Sequence, residues 1–281
     1  MQVEKSALIS QESIQLESVH LERSVTVDFY LPPLSGQLLA PGHSPVPSGE
    51  ISLLLINDGQ ELARLGLADI LEDLYGRDLL GTPLLCAGIH AGPERKMEYG
   101  TAIVSDYEGK GARAAAYTRF VLEELIPFIR LKYQVPAFKE KAFAGFSLGA
   151  LSAMDIVWNH AKEFSLAGLF SGSFWWRTTD KEDPAYNEQT DRIMHRQVRD
   201  GGYYPWLRFF FECGTEDEQE DRNHNGIIDS IDDTRDLIGE LVAKGYDPAE
   251  HIRYWEIEGG RHEVTTWARA MPEFLRWGWG K

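Results

Sequence analysis

The chain has 281 residues, of which 43% are hydrophobic and 11% aromatic, a composition that suits a large folded core and excludes a largely disordered protein. Its 28 Lys and Arg against 44 Asp and Glu leave a net charge of −16, which argues against nucleic acid and anionic membranes as partners, because both attract basic proteins. The two cysteines exclude a disulfide scaffold and a four-cysteine zinc site.

The N-terminus carries no recognisable targeting signal. Its first 18 residues lack a basic stretch followed by an apolar one, and no apolar run in the chain approaches the ~20 residues that span a bilayer. A chain whose signal peptide had been removed would look the same. The compartment therefore stays open between the cytoplasm and the periplasm or exterior.

Predicted strands and helices alternate along the chain. Residues 1–20 are interpreted as an edge strand or a loose segment, residues 24–31 as a strand and residues 34–49 as a loop. Further strands are predicted at 51–56, 83–89, 141–146, 166–170, 206–211 and 252–257, and helices at 65–74, 114–133 (kinked at Pro127), 148–158, 234–244 and 264–275. This alternation predicts a single α/β domain over residues 1–281, with a mostly parallel sheet and helices on both faces. Residues 172–205 are interpreted as a cap or rim.

A nucleophile motif lies between a predicted strand and a predicted helix. Residues 145–149 read Gly-Phe-Ser-Leu-Gly and fit the G-x-S-x-G pattern. This pattern places a serine on a tight strand-to-helix turn at the carboxyl edge of an α/β sheet. The other interpretation is an ordinary turn with Ser147 as helix N-cap, but two flanking glycines exceed what a cap requires. Ser147 is therefore the candidate nucleophile.

A serine nucleophile needs a histidine base and an acid that orients the base. In the fold class that carries this motif, the acid follows the serine along the chain and the histidine comes last. His262 lies in a loop between a predicted strand and the last helix, which favours it as the base over a surface histidine. The acid is expected in the loop that starts at Gly214. Asp217 is favoured there, while Glu216 and Glu218 stay open as alternatives.

Two backbone N–H groups are expected to form an oxyanion hole, which stabilises the negative charge that develops during acyl transfer. One belongs to Leu148, the residue after the nucleophile. The other is assigned to Gln60, in the turn after the first buried strand, where Gly59 allows the backbone to bend sharply.

An acidic stretch within residues 216–236 reads as a calcium loop. Residues 221–232 follow the pattern D-x-N-x-N-G-x-I-D-x-x-D, which resembles the loop of EF-hands and dockerins. The candidate ligands are the side chains of Asp221, Asn223, Asn225, Asp229 and Asp232 and the carbonyl of Ile227. A structural Ca²⁺ that orders the acid loop is expected, and the alternative is an acidic surface turn that mimics the motif.

Four segments together resemble the putative esterase family of α/β hydrolases, over the chain from about residue 18 to its end. They are the turn at 58–59, the elbow at 145–150, the Ser-Gly-Ser-Phe-Trp-Trp segment at 171–176 and the loop at 259–263. The family includes enterochelin, feruloyl and acetyl xylan esterases, S-formylglutathione hydrolases and mycolyl acyltransferases, and the siderophore-esterase branch is the most similar. The resemblance implies an ester or thioester substrate, a covalent acyl-enzyme, no cofactor for catalysis, and the roles given above for Ser147, His262 and Asp217. The insertion after Asp217 departs from the family pattern, so the resemblance does not decide which of Glu216, Asp217 and Glu218 is the acid.

Three further side chains are candidate substrate contacts. Arg95 follows the second buried strand and is suited to an anionic or catecholate-like group, or else pairs with Glu94 or Glu98 nearby. Trp175 and Trp176 suit an aromatic wall for an acyl group, ring or sugar, or else pack in the core.

The leading hypothesis is a serine carboxylic ester hydrolase that acts on a small-molecule or carbohydrate-linked ester. An acyltransferase would use the same triad with an alcohol in place of water, and the sequence does not separate the two. A non-catalytic calcium- or carbohydrate-binding module on the same fold is a third hypothesis. The complete set of triad candidates argues against it.

Overall fold

The computed structural model describes residues 8–34, 37–38 and 47–281. Eight of its strands form one sheet: β1 (Ser10–Ser18), β2 (Arg23–Leu31), β3 (Ser52–Asn57), β4 (Leu84–Ile89), β5 (Lys141–Phe146), β6 (Leu166–Phe170), β7 (Arg208–Glu216) and β8 (Ile252–Arg261). Their spatial order is β1-β2-β4-β3-β5-β6-β7-β8. A separate antiparallel ladder pairs Pro33–Leu34 with Gln37–Leu38.

The strands β3 to β8 are parallel, and β1 and β2 add an antiparallel edge. Every residue of β3, β4 and β6 is buried, as their nearly continuous apolar runs predict for strands covered on both faces. Strand β1 instead alternates exposed and half-buried residues. Of the two interpretations of residues 1–20, the edge strand is therefore correct for Ser10–Ser18, and residues 1–7 lie outside the described residues.

Helices cover both faces of the sheet: α1 (Leu62–Leu65), α2 (Leu67–Gly76), α3 (Arg95–Glu98), α4 (Ala114–Arg119), α5 (Ile126–Lys132), α6 (Leu148–Asn159), α7 (Glu188–Asp191), α8 (Ile193–Asp200), α9 (Asp229–Lys244) and α10 (Val264–Trp279), with a 3₁₀ turn at Gly59–Glu61 and a π-helical segment at Phe120–Leu125. Side chains of α4 to α6, α8 and α9 form one apolar core. Those of α1, α2 and α10 form the other. The predicted α/β fold with helices on both faces is thus confirmed.

The helix predicted at 114–133 contains a π-helical segment just before Pro127, which lies in the first turn of α5. Proline has no N–H to donate and its ring crowds the preceding turn, and a wider turn accommodates both effects. The expected irregularity is therefore present as a change of helix type.

The strands β7 and β8 are longer than predicted, and α9 starts five residues early. As a result Asp217 and His262 each directly follow a strand of the parallel sheet. Strands β7 and β8 are neighbours in this sheet. Their carboxyl ends bring the candidate acid and base to the same edge.

The segment predicted as a cap, residues 172–205, carries α7 and α8. Arg192, between these helices, is 4% exposed and donates from Nη1 to Asp233 Oδ1 of α9 at 2.8 Å. This buried ion pair joins the segment to the main fold. In the described ranges, no helix combines the length and apolarity that a membrane crossing requires.

Candidate active site

Ser147 lies on a strained turn between β5 and α6. Its backbone has φ 56° and ψ −125°, a conformation that costs an L-residue free energy and that recurs at functional sites. A Cβ at Gly145 would overlap the carbonyl of Gly149, so the turn requires glycine there. These features match the tight strand-to-helix turn that the G-x-S-x-G pattern predicts.

The elbow is fixed to the neighbouring strand ends. The Ser147 N–H donates to the carbonyl of Phe170 at 2.9 Å, and the Ser173 N–H donates to the Ser147 carbonyl at 3.2 Å. The two hydroxyl oxygens of Ser147 and Ser173 are 3.5 Å apart. The Ser147 hydroxyl is therefore held in the cleft above the carboxyl ends of β5 and β6.

His262 follows β8 and reaches the same cleft. Its ring meets the Trp267 indole edge-on, with centroids 5.5 Å apart, and that indole stacks on Phe146, the residue before Ser147, at 4.8 Å. Among the described residues the His262 ring makes no hydrogen bond. Burial lowers the pKa of His262. The Asp217 carboxylate opposes this decrease, and the charge of Arg95 adds to it.

Asp217 is the acidic residue whose charge acts on His262. Its two carboxyl oxygens are buried and, within the described ranges, have no hydrogen-bond partner. A Cβ at Gly214 would lie 2.6 Å from Asp217 Oδ1, so the carboxylate folds back over that glycine. Burial raises the pKa of Asp217, while Ser171, the Gly214 backbone and the His262 charge oppose the rise.

The two alternative acids have other partners. Glu216 accepts from Arg261 Nε at 3.1 Å on the surface. Glu218 accepts from the N–H of Ser230, in the first turn of α9, at 2.5 Å. Neither carboxylate is free to orient a histidine, which favours Asp217.

The turn that carries Gln60 faces the elbow. Asp58 has a left-handed backbone, with φ 58°, and a Cβ at Gly59 would overlap the backbone of Gly88. The Leu148 N–H opens α6 and, like other N-terminal helix donors, has no acceptor within its helix. Among the described residues, neither this N–H nor that of Gln60 has an acceptor, so both are available for an oxyanion.

Arg95 lies in the cleft but binds a carboxylate of the protein. Its Nε and Nη2 donate to the two oxygens of Asp58, each at 2.7 Å. The alternative prediction, that Arg95 pairs with Glu94 or Glu98, is wrong. Glu98 is fully buried and forms its ion pair with Arg23 instead. Arg95 thus holds the turn that carries Gln60.

Two cavities meet at the candidate nucleophile, and Ser147 and His262 line both. The first, of about 320 Å³, is bordered by Asp58, Gln60, Glu61, Arg64, Arg95, Phe146, Glu263, Val264 and Trp267. The second, of about 240 Å³, is bordered by Ser171, Gly172, Ser173, Trp175, Asp217, Glu218 and Ser230. Two cavities that border the same serine offer separate places for the two halves of an ester.

The two predicted tryptophan contacts have different locations. Trp175 is half-buried and lines the second cavity. Trp176 is 1% exposed and packs against Gly100 and Gly111. The prediction that Trp176 faces substrate is wrong, because its indole fills the core beneath the loop.

The predicted calcium loop is organised around Asp221. This carboxylate accepts from the N–H groups of Asn225 and Gly226 at 3.1 and 2.9 Å, and the amides of Asn223 and Asn225 converge on Asp232 Oδ2 at 3.0 and 2.7 Å. Asp229 instead accepts from the Arg222 N–H at 2.8 Å. In the part of the chain that the structure describes, no three His, Cys, Asp or Glu side chains gather as a metal-binding group.

Three residues near the triad candidates were not singled out from the sequence: Asp58 as a side chain, Ser171 and Glu212. Ser171 has φ 46°, and its Oγ accepts from Trp267 Nε1 at 2.9 Å. Glu212 is fully buried in β7. A charged residue inside the apolar run that precedes Gly214 was a signal available in the sequence.

Comparison with known proteins identifies the family. The family model described as Putative esterase matches residues 18–277. No curated protein matches the sequence significantly.

Solved structures of esterases share the fold. The enterobactin esterase FES from Shigella flexneri, solved with 2,3-di-hydroxy-N-benzoyl-glycine, aligns with a TM-score of 0.68 and 20% identity over 95% of this chain and 59% of its own. This chain thus spans about three fifths of that protein. A ferulic acid esterase aligns at 0.66 and 15% identity over 96% and 98% of the two chains. An IroE-like serine hydrolase from Shewanella oneidensis aligns at 0.65 and 18% identity over 95% and 79%.

The family model covers most of the chain, and the described sheet, elbow and cleft agree with it. The chain therefore belongs to the Putative esterase family.

Proposed function

We propose that the protein is a serine carboxylic ester hydrolase with Ser147 as nucleophile, His262 as base and Asp217 as the orienting acid. The observation that carries the proposal is the position of Ser147 and His262 on both cavities, with Asp217 on the second. An ester bound across the two cavities has its carbonyl carbon beside the serine hydroxyl.

The reaction proceeds in two steps. Ser147 Oγ attacks the ester carbonyl carbon while its proton passes to His262, and collapse of the tetrahedral intermediate releases the alcohol with that proton. Water then attacks the acyl-enzyme, again with His262 as base, and releases the acid and free Ser147. The charge of Asp217 stabilises the imidazolium that forms in each step.

The N–H groups of Gln60 and Leu148 are proposed to stabilise the oxyanion. They lie on the two turns that face each other at the carboxyl ends of β3 and β5, and Asn57 joins these turns by donating from Nδ2 to the Gly149 carbonyl at 2.7 Å. Fixed donors of this kind need no reorganisation as the charge develops.

The volumes of the cavities suit an ester of a small molecule, or an ester on a carbohydrate whose bulk lies outside. The first cavity carries both signs of charge, and the second presents Trp175 to an apolar or aromatic group. A panel of short acyl, feruloyl and acetyl-xylan esters, a thioester and a catecholate siderophore ester identifies the substrate. Product analysis with an added alcohol separates a hydrolase from an acyltransferase.

The test of the triad is hydrolysis of a short p-nitrophenyl ester by variants. Ser147→Ala and His262→Ala are each expected to lose several orders of magnitude in kcat, because triad members act as a unit. Ser173→Ala removes the neighbouring hydroxyl, 3.5 Å away, and is the matched control that keeps most activity. Turnover by Ser147→Ala at the wild-type level would contradict the proposal.

We also propose that the loop 221–232 binds Ca²⁺ through Asp221, Asn223, Asn225, Asp232 and the Ile227 carbonyl. Amide and carbonyl oxygens are ordinary calcium ligands, and the side chains of Asn223, Asn225 and Asp232 already meet. Asp229 is held by Arg222, so it would contribute only after leaving this partner. The bound ion would stabilise the loop that follows Asp217 and take no part in the chemistry.

Melting temperature measures calcium binding independently of activity. Millimolar calcium is expected to raise it relative to excess chelator, and Asp221→Ala with Asp232→Ala is expected to abolish the increase. Glu250→Ala, which removes an exposed carboxylate elsewhere, should retain it. An identical melting temperature of the wild type in calcium and in chelator would make the loop an acidic turn only.

A further inference from the structure

A buried carboxyl group lies behind the triad candidates and has no part in the mechanism above. Glu212 is 0% exposed, and neither of its carboxyl oxygens has a hydrogen-bond partner among the described residues. Its backbone carbonyl accepts from the Ser171 N–H at 2.8 Å. An isolated ionised carboxylate in such a place is very costly, because no water or cation replaces its hydration.

The register of the sheet directs Glu212 toward the active site. Side chains alternate along a strand, so Glu212 shares a face with Phe210, which packs on Phe274 and Trp277 of α10. Helix α10 starts two residues after His262. The Glu212 carboxyl therefore lies between the sheet and the helix that follows the catalytic base.

Ser171 connects this carboxyl with the triad candidates. Its backbone is left-handed, with φ 46°, and its Oγ accepts from Trp267 Nε1 at 2.9 Å. Because the indole N–H is the donor, the hydroxyl hydrogen of Ser171 is free to donate to an acid. Ser171 and Asp217 line the same cavity. Glu212 and Gly214 share a face of β7, and a Cβ at Gly214 would lie 2.6 Å from Asp217 Oδ1, so the two carboxyl groups lie on the same face of the strand. Ser171 also opposes the rise in the pKa of both acids.

The surroundings of Glu212 favour its neutral form. Burial raises the pKa of Glu212 to about 8, the negative charge of Asp217 adds to the rise, and Arg269 of α10 and Ser171 oppose it. The other titratable neighbours are Cys213, next to it in β7, and His262, beyond Asp217. Two carboxyls that share one desolvated site hold one proton between them.

We propose that Glu212 is a positioning residue whose protonated carboxyl, together with the Ser171 hydroxyl, holds the Asp217 carboxylate toward His262. The proposal rests on the proposed function. It supplies donors for the buried oxygens of Asp217, and such donors favour the charged form of that carboxyl. When Glu212 loses its proton, it becomes a second anion beside Asp217 and repels it, so activity falls.

The pH dependence of kcat in Glu212→Gln tests this role. Glutamine keeps the size and a donor but does not ionise, so activity near pH 7 should stay within about threefold of the wild type. The wild type should lose activity above about pH 8, and Glu212→Gln should remain active there. The same alkaline decline in both proteins would overturn the proposal.

Loss of the donor tests the hydrogen bonds themselves. Glu212→Leu and Ser171→Ala are each expected to lower kcat about 10- to 100-fold with an unchanged KM, as for loss of a hydrogen bond to a charged group. Wild-type kcat in both would contradict the role. If Glu212→Leu does not fold, the Glu212→Gln profile decides alone.

The outcome is distinguishable from a failure of the proposed function. Activity in Ser147→Ala would refute the esterase mechanism whatever Glu212 does. An inactive Ser147→Ala, together with the wild-type alkaline decline in Glu212→Gln and the wild-type kcat in Ser171→Ala, would refute only the positioning role.

Discussion

Replacement of Arg95 tests whether the oxyanion turn depends on its ion pair with Asp58. Asp58 is 4% exposed and accepts two charge-assisted bonds from Arg95, whose side chain is 30% exposed. Breaking a buried pair by removal of one partner costs ~3–5 kcal/mol. Because water reaches this guanidinium, we expect Arg95→Met to lower the free energy of unfolding by about 3 kcal/mol, the lower end of that range.

The same substitution should affect catalysis through Gln60. Removal of an oxyanion donor costs roughly 10²–10³-fold in kcat, and a displaced donor should cost less, about 10- to 100-fold, with little change in KM for a neutral ester. Arg64→Met is the matched control: it lines the same cavity, but its side chain is 67% exposed and pairs with Glu61 only at 3.8 Å.

A double-mutant cycle tests the link between the two residues. Arg95→Met, Asp58→Asn and the double variant are each measured by denaturant unfolding and by steady-state kinetics. If Arg95 acts through Asp58, the second substitution adds little to the first. If Arg95→Met has a higher KM for an anionic ester but unchanged kcat and stability, this reasoning is refuted. Arg95 would then be a substrate contact, as the sequence analysis predicts.

Three further predictions concern the acid, the base and the thiols. Asp217→Asn should reduce kcat far more than Glu218→Gln, because the Glu218 carboxylate accepts a hydrogen bond from the first turn of α9. A larger loss in Glu218→Gln would assign the role of the acid to Glu218. Activity should rise with pH as His262 loses its proton. Because burial lowers the pKa of His262, the midpoint of this rise should lie below the ordinary histidine value of 6.5. A pH–rate profile with a higher midpoint would contradict this prediction. Cys86 and Cys213 are buried and unpaired, and their strands are separated by three others in the sheet. Thiol titration should therefore find two free thiols after denaturation and none before. Any other count would contradict the strand order described above.

The elbow was predictable because its determinants are local. A buried strand, two glycines and a helix adjoin Ser147 in sequence, and the strain that exposes its hydroxyl arises within five residues. The places of Asp217 and His262 also followed from the order of strands, because parallel strands end at one edge. This reasoning did not choose among Glu216, Asp217 and Glu218, since the difference is set by distant partners.

Contacts between distant segments account for the failures. The ion pair of Arg95 and Asp58 joins residues 37 positions apart in the sequence. Glu98 pairs with Arg23, which lies 75 positions away in the sequence. The early start of α9 has a local reason in Asp229 and Asp232, because acidic side chains stabilise a helix N-terminus. Their interpretation as calcium ligands obscured that signal.

The most direct measurement of the central claim is the site at which a fluorophosphonate probe attaches to the folded protein. A probe of this class reports a serine activated by its base, so intact mass and peptide mapping should show one adduct, on Ser147. Ser147→Ala should show none, and His262→Ala should react far more slowly. An adduct on another residue, or no adduct on the folded wild-type protein, would contradict the account.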